Sequence, residues 1–298
     1  MIIINSQISL TQLDQIKRLA GFCRRKDGGL PAMYYHLLTT KRGDNSNLLY
    51  YRDNRLLGYL SVYLFYENAC EISLFVHPKY RRQNIATQLL HKTIPQLKLN
   101  EEIEELIFSK PASTNGTWLE KLGFKHHHQE CHMEKIILHS IELPANLLNF
   151  RTATVQDLPW LSKTDRACFP NSPVSFSSYG RFISIMNDPQ SIILIAEYNN
   201  LPIAKAHIRW QYQDEALFSD IAVLPEYQGR GFASELLVYC INYAVARHKK
   251  KLGLDVLVNN NNAINLYKKY GFKITQEIDY WIIPLSKLIN MLLGLDNA

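Results

Sequence analysis

Ile221-Ala222-Val223-Leu224-Pro225-Glu226-Tyr227-Gln228-Gly229-Arg230-Gly231-Phe232-Ala233 reads as an apolar strand that turns through two glycines into an amphipathic helix. Glycines at 229 and 231 strip the turn of side chains, so consecutive backbone N–H groups can converge on an anion at the positive end of the helix dipole. The helix shows in the periodicity. Ala233, Leu236, Leu237, Cys240, Ile241 and Ala244 recur on one face, which fastens the turn to a core. The arrangement predicts a pyrophosphate site.

A second motif follows at Asn260-Asn261-Asn262-Ala263-Ile264-Asn265-Leu266-Tyr267-Lys268-Lys269-Tyr270-Gly271-Phe272, a short helix with Gly271 at its stop. At these two stretches the chain resembles the GNAT superfamily of acetyl-CoA-dependent N-acetyltransferases. In that family an Arg/Gln-x-x-Gly-x-Gly/Ala turn grips the CoA pyrophosphate. An Asn…Ala…Leu-Tyr…Gly-Phe stretch contacts pantetheine and supplies a tyrosine near the sulfur. The resemblance implies that Gln228, Gly229, Arg230, Gly231, Phe232, Ala233 and Asn260 bind acetyl-CoA, with no metal. It also implies an α/β (α+β) fold, a mixed, mostly antiparallel central sheet flanked by helices.

The pattern occurs twice. Thr11-x-x-Asp14 and Thr154-x-x-Asp157 both read as capping boxes, at an offset of 143 (154 − 11). Asp53-Asn54 and Asn199-Asn200 both read as hairpin turns, at 146 (199 − 53). Val76-His77-Pro78-Lys79-Tyr80 matches Val223-Leu224-Pro225-Glu226-Tyr227 at 147, and Gly123-Phe124 matches Gly271-Phe272 at 148. With 298 residues the chain has room for two domains of about 150 each. The expected division is a degenerate copy over 1–145 and a catalytic copy over 149–298.

The copies differ in their chemistry. Arg81-Arg82-Gln83-Asn84-Ile85-Ala86 underlies Gln228-Gly229-Arg230-Gly231-Phe232-Ala233, so both glycines are replaced where phosphate should approach backbone. Asn84 tolerates left-handed backbone, which lets the turn survive. Leu119 stands at the position of Tyr267 and Ala112 at that of Asn260, and Pro95 is expected to end or kink the first copy's helix. The first copy reads as having lost catalysis, with Arg81 and Arg82 left as side-chain partners for phosphate. Tandem members of the resembled family likewise confine catalysis to the C-terminal copy.

The family mechanism implies roles in the second copy. Residues 218–223 should splay from their neighbour at a bulge, freeing an N–H near Ala222 or Val223, beyond Ile221, to hold the acetyl carbonyl. Tyr267 is the candidate general acid for the departing thiolate; packing against pantetheine is the other reading. Asp220 is the candidate base, with Glu215 and loss of the amine proton to solvent as alternatives. The acceptor is an amine, on a small molecule or at a peptide N-terminus. The segment 167–176, Ala-Cys-Phe-Pro-Asn-Ser-Pro-Val-Ser-Phe, is similar to a loop bordering the peptide groove of ribosomal-protein acetyltransferases. A non-catalytic acetyl-CoA-responsive binding protein is the alternative; Tyr267 favours the enzyme.

The charge of +6 is a mild excess that an anionic cosubstrate accounts for, and the run Lys249-Lys250-Lys251 complements a helix C-terminus. Neither predicts nucleic-acid binding. Five dispersed cysteines read as thiols in a cytoplasmic protein. His126, His127, His128, Cys131 and His132 fall on an expected strand, whose alternation separates them and argues against a metal. Met1–Asn5 lacks the basic and apolar regions of a secretory leader, and no apolar run approaches the ~20 residues of a membrane span. The tail at 285–294 has helical spacing and is expected to dock on its own domain; a dimer contact is the other reading.

Overall fold

The computed structural model describes residues 1–43, 46–65, 68–97, 102–170, 179–211 and 214–293. They form two compact units, Met1–Cys131 with Gln276–Ala298, and His132–Thr275.

The first unit opens with β1 (Ile2–Asn5) and α1 (Leu10–Asp27). Ser9 and Gln12 form the capping box of α1, two residues before the expected Thr11–Asp14 pair. The helix has already begun at Leu10, so Thr11 comes too late to cap it. After α2 (Tyr35–Leu38), a hairpin of β2 (Asn47–Arg52) and β3 (Arg55–Tyr63) turns through Asp53 and Asn54, both at positive φ as that turn requires. Next come β4 (Ala69–Val76), α3 (Ile85–Leu97), β5 (Glu105–Pro111), α4 (Thr117–Lys121) and β6 (Lys125–Ile136). Pro95 lies inside the last described turn of α3, so the helix runs two residues past it.

The second unit follows the same order. It contains β7 (Asn149–Thr152), α5 (Leu158–Cys168), α6 (Tyr179–Asn187), β8 (Ser191–Tyr198), β9 (Leu201–Gln211) and β10 (Glu215–Val223). Then come α7 (Phe232–Val245), β11 (Lys251–Leu257) and α8 (Asn261–Lys269). The Thr154–Asp157 capping box forms as expected, and Asn199 and Asn200 turn the β8–β9 hairpin at positive φ.

The final elements, β12 (Lys273–Pro284) and α9 (Leu285–Leu293), break the symmetry. From Gln276 onward they belong to the first unit, where β12 runs antiparallel to β5 from Ile278 opposite Pro111 to Pro284 opposite Glu105. Trp281, Ile283, Leu285 and Leu288 enter the core formed by Leu60, Ile72, Leu89, Leu106, Phe108 and Phe124. The tail therefore docks on the unit built from the opposite copy, because β12 carries α9 with it. Conversely, His132–Ile136 of β6 lies beside β11 in the second unit: Lys251 pairs with Glu134, and Ile137 N–H donates to Lys250 C=O. The packing units thus differ from the sequence segments 1–145 and 149–298.

The first unit's sheet order is β1-β2-β3-β4-β5-β12, and the second unit's is β7-β8-β9-β10-β11 followed by the end of β6. In each, one parallel pair, β4–β5 or β10–β11, sits among antiparallel neighbours. The histidines of β6 disperse: His126 pairs with Asp279, His128 stacks on Tyr280, and His132 bonds Asp255 in the second unit. Among the described residues no three metal-type ligands converge, and no helix is long and apolar enough to cross a membrane.

Candidate active site

Gly229 and Gly231 adopt φ of 75° and 84°, and a Cβ built on either meets nothing within 4 Å. Glycine enters this left-handed region without strain, and both residues face open space, a cradle that suits phosphate oxygens. At the start of α7 the Ser234 N–H donates to Gly231 C=O, whereas the Phe232 and Ala233 amides have no preceding helical carbonyl to bond and remain donors. Two contacts fix the turn. Gln228 Nε2 donates to Val223 C=O at 2.9 Å, and buried Phe232 packs on the Tyr198 ring. Arg230 lies over the Tyr227 ring at the exposed edge, and Ala233 follows in the first turn of α7.

The strand before this turn forks from its neighbour. Pairing of β10 with β11 stops at Phe218 opposite Leu254, while pairing with β9 continues to Val223. The β9 register slips between Ser219, opposite His207, and Ala222, opposite Lys205, so Asp220 and Ile221 span a gap that one residue would fill. Asp220 takes the strain at φ 49°. Leu224 N–H is spent on Ile203 C=O of β9; alternation therefore turns the Val223 N–H toward the fork. Of the two expected donors, Val223 faces the fork and Ala222 faces β9.

A buried ionic chain underlies the bulge. Asp220 Oδ2 lies 2.7 Å from His207 Nδ1 and 2.5 Å from Arg181. His207 Nε2 is 3.3 Å from Lys205 Nζ, and Lys205 pairs with Asp165 at 2.5 Å. The Lys205 and Asp165 side chains are 0% and 1% exposed. Burial, then the Lys205 charge, brings His207 down to about 4, so it is neutral at neutral pH and donates its Nδ1–H to Asp220. Burial alone would raise the Asp220 pKa, but the positive groups around it outweigh that and hold it well below the carboxylate range. Asp165, dominated by burial, is raised. An anionic Asp220 that already accepts two strong hydrogen bonds is a weak proton acceptor. The other expected base, Glu215, pairs with Lys251 at 3.1 Å.

Tyr267 of α8 is buried, and burial pushes its phenol up to about 12, which keeps it protonated. Its hydroxyl has no hydrogen-bond partner among the described residues. The Phe272 ring connects it to Phe218, the last β10 residue paired with β11, at centroid distances of 6.0 and 6.5 Å. Asn260 caps α8 by accepting the Ala263 N–H at 3.1 Å, which leaves its Nδ2 group as a donor. Of the acceptor-loop segment 167–176, residues 171–176 lie outside the described residues.

The first unit keeps the turn without its glycines. Arg82 and Asn84 reproduce the left-handed pair at φ 60° and 59°. Arg81 donates to Val76 C=O as Gln228 does to Val223, but its guanidinium pairs with both oxygens of Asp27. It is thus committed within the protein rather than left for phosphate. Strand β4 pairs with β3 without a register slip, so it has no bulge. Ala32 closes over the point where β4 and β5 part, its N–H on Ser109 Oγ and its C=O on Ser73 Oγ.

The turn and the bulge lie where the sequence places them, but Asp165, Arg181, Lys205 and His207 were not anticipated. A signal was present: Lys205 and His207 interrupt the apolar run Ile203–Ile208.

A family model described as "Acetyltransferase (GNAT) family" matches residues 13–124 and 155–272. A putative [ribosomal protein bS18]-alanine N-acetyltransferase of Bacillus subtilis is 25% identical over 123 residues, 41% of this chain and 79% of that protein. A spermine/spermidine N(1)-acetyltransferase of the same organism is 34% identical over 55 residues, 18% of this chain and 36% of that protein. Among solved structures, a GCN5-related N-acetyltransferase from Sphaerobacter thermophilus superposes with a TM-score of 0.75 at 16% identity, covering 95% of this chain and 96% of that one. A tandem GNAT protein from the clavulanic acid biosynthesis pathway gives 0.66 at 13%, covering 96% and 98%. At these identities the superpositions bear on the fold alone.

Proposed function

Because the chain belongs to the acetyltransferase (GNAT) family as a tandem member, and is thus an acetyl-transferring enzyme, we propose that it moves acetyl from acetyl-CoA to a primary amine in its second unit. The observation that carries this reading is the joint presence there, and absence from the first unit, of a glycine cradle and a bulged fork. The acceptor is a small-molecule amine or a peptide N-terminus, the two kinds of substrate named for the relatives.

The cradle of Gly229, Arg230, Gly231, Phe232 and Ala233 binds the pyrophosphate, and the Asn260 amide reaches the pantetheine arm. The cosubstrate supplies a thioester carbon to be attacked. The amine nitrogen forms a bond to that carbon as the C–S bond breaks, with both partners bound together. Val223 N–H holds the carbonyl oxygen as negative charge develops on it. Tyr267 gives its proton to the departing sulfur, and the amine proton leaves to solvent. Asp220 shapes the site rather than serving as its base.

Calorimetric titration with acetyl-CoA should give one site per chain, lost in Gly231→Trp, which forces a Cβ and an indole into the cradle. In Tyr267→Phe, kcat should fall by ~10²-fold with acetyl-CoA affinity unchanged. Full binding in Gly231→Trp would place the cosubstrate elsewhere; an undiminished kcat in Tyr267→Phe would remove the acid.

A further inference from the structure

The duplication provides an internal control for the buried charges of the second unit. Cys23 and Cys168 occupy equivalent places, each directing its thiol at the carbonyl that ends the bulged or unbulged strand, Val76 or Val223. That match puts Ala20 where Asp165 stands. Strand pairing fixes the rest: Ser61 opposite Ser73 corresponds to His207 opposite Ser219, and Tyr59 opposite Phe75 corresponds to Lys205 opposite Ala222. Between those pairs the first unit has only Leu74, whereas the second has Asp220 and Ile221. One residue has been inserted, and it moves the repeat offset from 146 to 147.

Among the described residues the first unit has Ala20, Tyr59 and Ser61 at these places, with Arg42 donating to Ser61 Oγ and Asn47 Oδ1 instead of an ion-pair network, and no inserted residue. Folding does not require these charges, and burying them is costly unless each is paired. They are paired in a ring that passes through the inserted residue, because Arg181 reaches both Asp220 and, at 3.5 Å, Asp165. Asp165 on α5 holds Lys205, Lys205 contacts His207, and His207 on β9 and Arg181 on α6 grip the Asp220 carboxylate. A left-handed aspartate is strained and persists only where its surroundings fix it.

We propose that Asp165, Lys205, His207 and Arg181 are positioning residues that hold Asp220 in its left-handed bulge, and through it keep Val223 N–H aimed at the acetyl carbonyl. This rests on the acetyl-transfer reading of the fork. The four act through one backbone conformation that the unbulged copy lacks.

The test uses His207→Ser, which installs the first unit's residue at that place; His207→Asn, whose amide can donate to Asp220 as Nδ1–H does; and deletion of Asp220, which restores the unbulged spacing. Acetyl-CoA affinity should be retained in all three, because the glycine cradle is untouched. With spermine or an alanine-initiated peptide as acceptor, kcat should fall by ~10²-fold in His207→Ser and in the deletion at unchanged KM, and recover in His207→Asn. Crystal structures of His207→Ser and of the wild type provide a readout independent of activity. Asp220 should leave the positive-φ region in the variant. An Asp220 still near φ 49°, or an undiminished kcat, would overturn the proposal. A wild type that transfers acetyl to neither acceptor would count against the acetyl-transfer reading, while the Asp220 conformation in the variant would still decide the positioning role.

Discussion

Gln276 and Leu30, 246 residues apart in the chain, are joined by two hydrogen bonds: Leu30 N–H donates to Gln276 Oε1 at 3.1 Å and Gln276 Nε2 donates to Leu30 C=O at 2.5 Å. This clamp is where β12 enters the first unit, next to the segment that closes over the β4–β5 fork. Removing the chain after Thr275 would strip β5 of its antiparallel partner and take Trp281, Ile283, Leu285 and Leu288 from that core. Each large apolar side chain lost costs about 2–5 kcal/mol, enough together to unfold the unit. Limited proteolysis of the truncated chain should cut within residues 1–131 first; resistance there would show that the core stands without its C-terminal strand.

Restoring the glycines of the first unit should not restore a second acetyl-CoA site. Arg82→Gly with Asn84→Gly would empty the turn of side chains. Strand β4 would remain unbulged and Ala32 would still lie across the strands where they part. Calorimetry should count one site per chain, as for the wild type. A second site would show that the turn alone governs binding.

Acid should destabilise the second unit through His207. An unfolded chain protonates this histidine below about 6.5, whereas the native site, buried and beside Lys205, resists until about 4. The native state thus binds fewer protons within that window, and stability falls as pH drops from 6.5 toward 4. At ~1.4 kcal/mol per unit, the loss by pH 4.5 is about 2–3 kcal/mol. Asp220, depressed by its partners, adds a further loss at lower pH. Urea midpoints at pH 7 and 4.5 should therefore differ more for the wild type than for His207→Ser. Equal differences would mean that His207 is not neutral in the native state.

Glu235 gives a structural prediction of a different kind. This buried carboxylate on α7 accepts the N–H groups of Leu147 and Leu148 at 2.9 Å each, while Asn242, about two turns along the same face, bonds both N–H and C=O of Ile141. Glu235→Ala should cost about 2 kcal/mol by orphaning two amides, and Glu235→Gln less, since its carbonyl still accepts. Chemical denaturation measures both. Equal losses for the two variants would implicate the charge rather than the hydrogen bonds.

Local motifs were legible in the sequence wherever one residue type answers one backbone demand. Gly229 and Gly231 announced the turn, Asn199-Asn200 a hairpin, and Asn84 the survival of the first copy's turn. The bulge was expected from resemblance, yet its cause lay in plain view as the step in repeat offset from 146 to 147. The ionic chain was not legible, because Asp165, Arg181, Lys205 and His207 come from three separate elements and meet only in three dimensions. The exchange of terminal strands was equally hidden. Gly123-Phe124 and Gly271-Phe272 introduce β6 and β12 with the same words, and nothing local says which unit's hydrogen bonds each strand will complete.

The exchanged strand also sets an order of assembly on the ribosome. The second unit is complete once Thr275 has emerged, but the first waits for the residues from Gln276 onward, although Met1–Cys131 is synthesised before the second unit. Until then β5 presents an unpaired edge and the pocket for Trp281 and Leu288 stands open to water, a state exposed to aggregation and to chaperone capture. A nascent chain stalled just before residue 276 would carry a finished second unit behind an unfinished first one. Of the two units, the one begun first is the later to be finished.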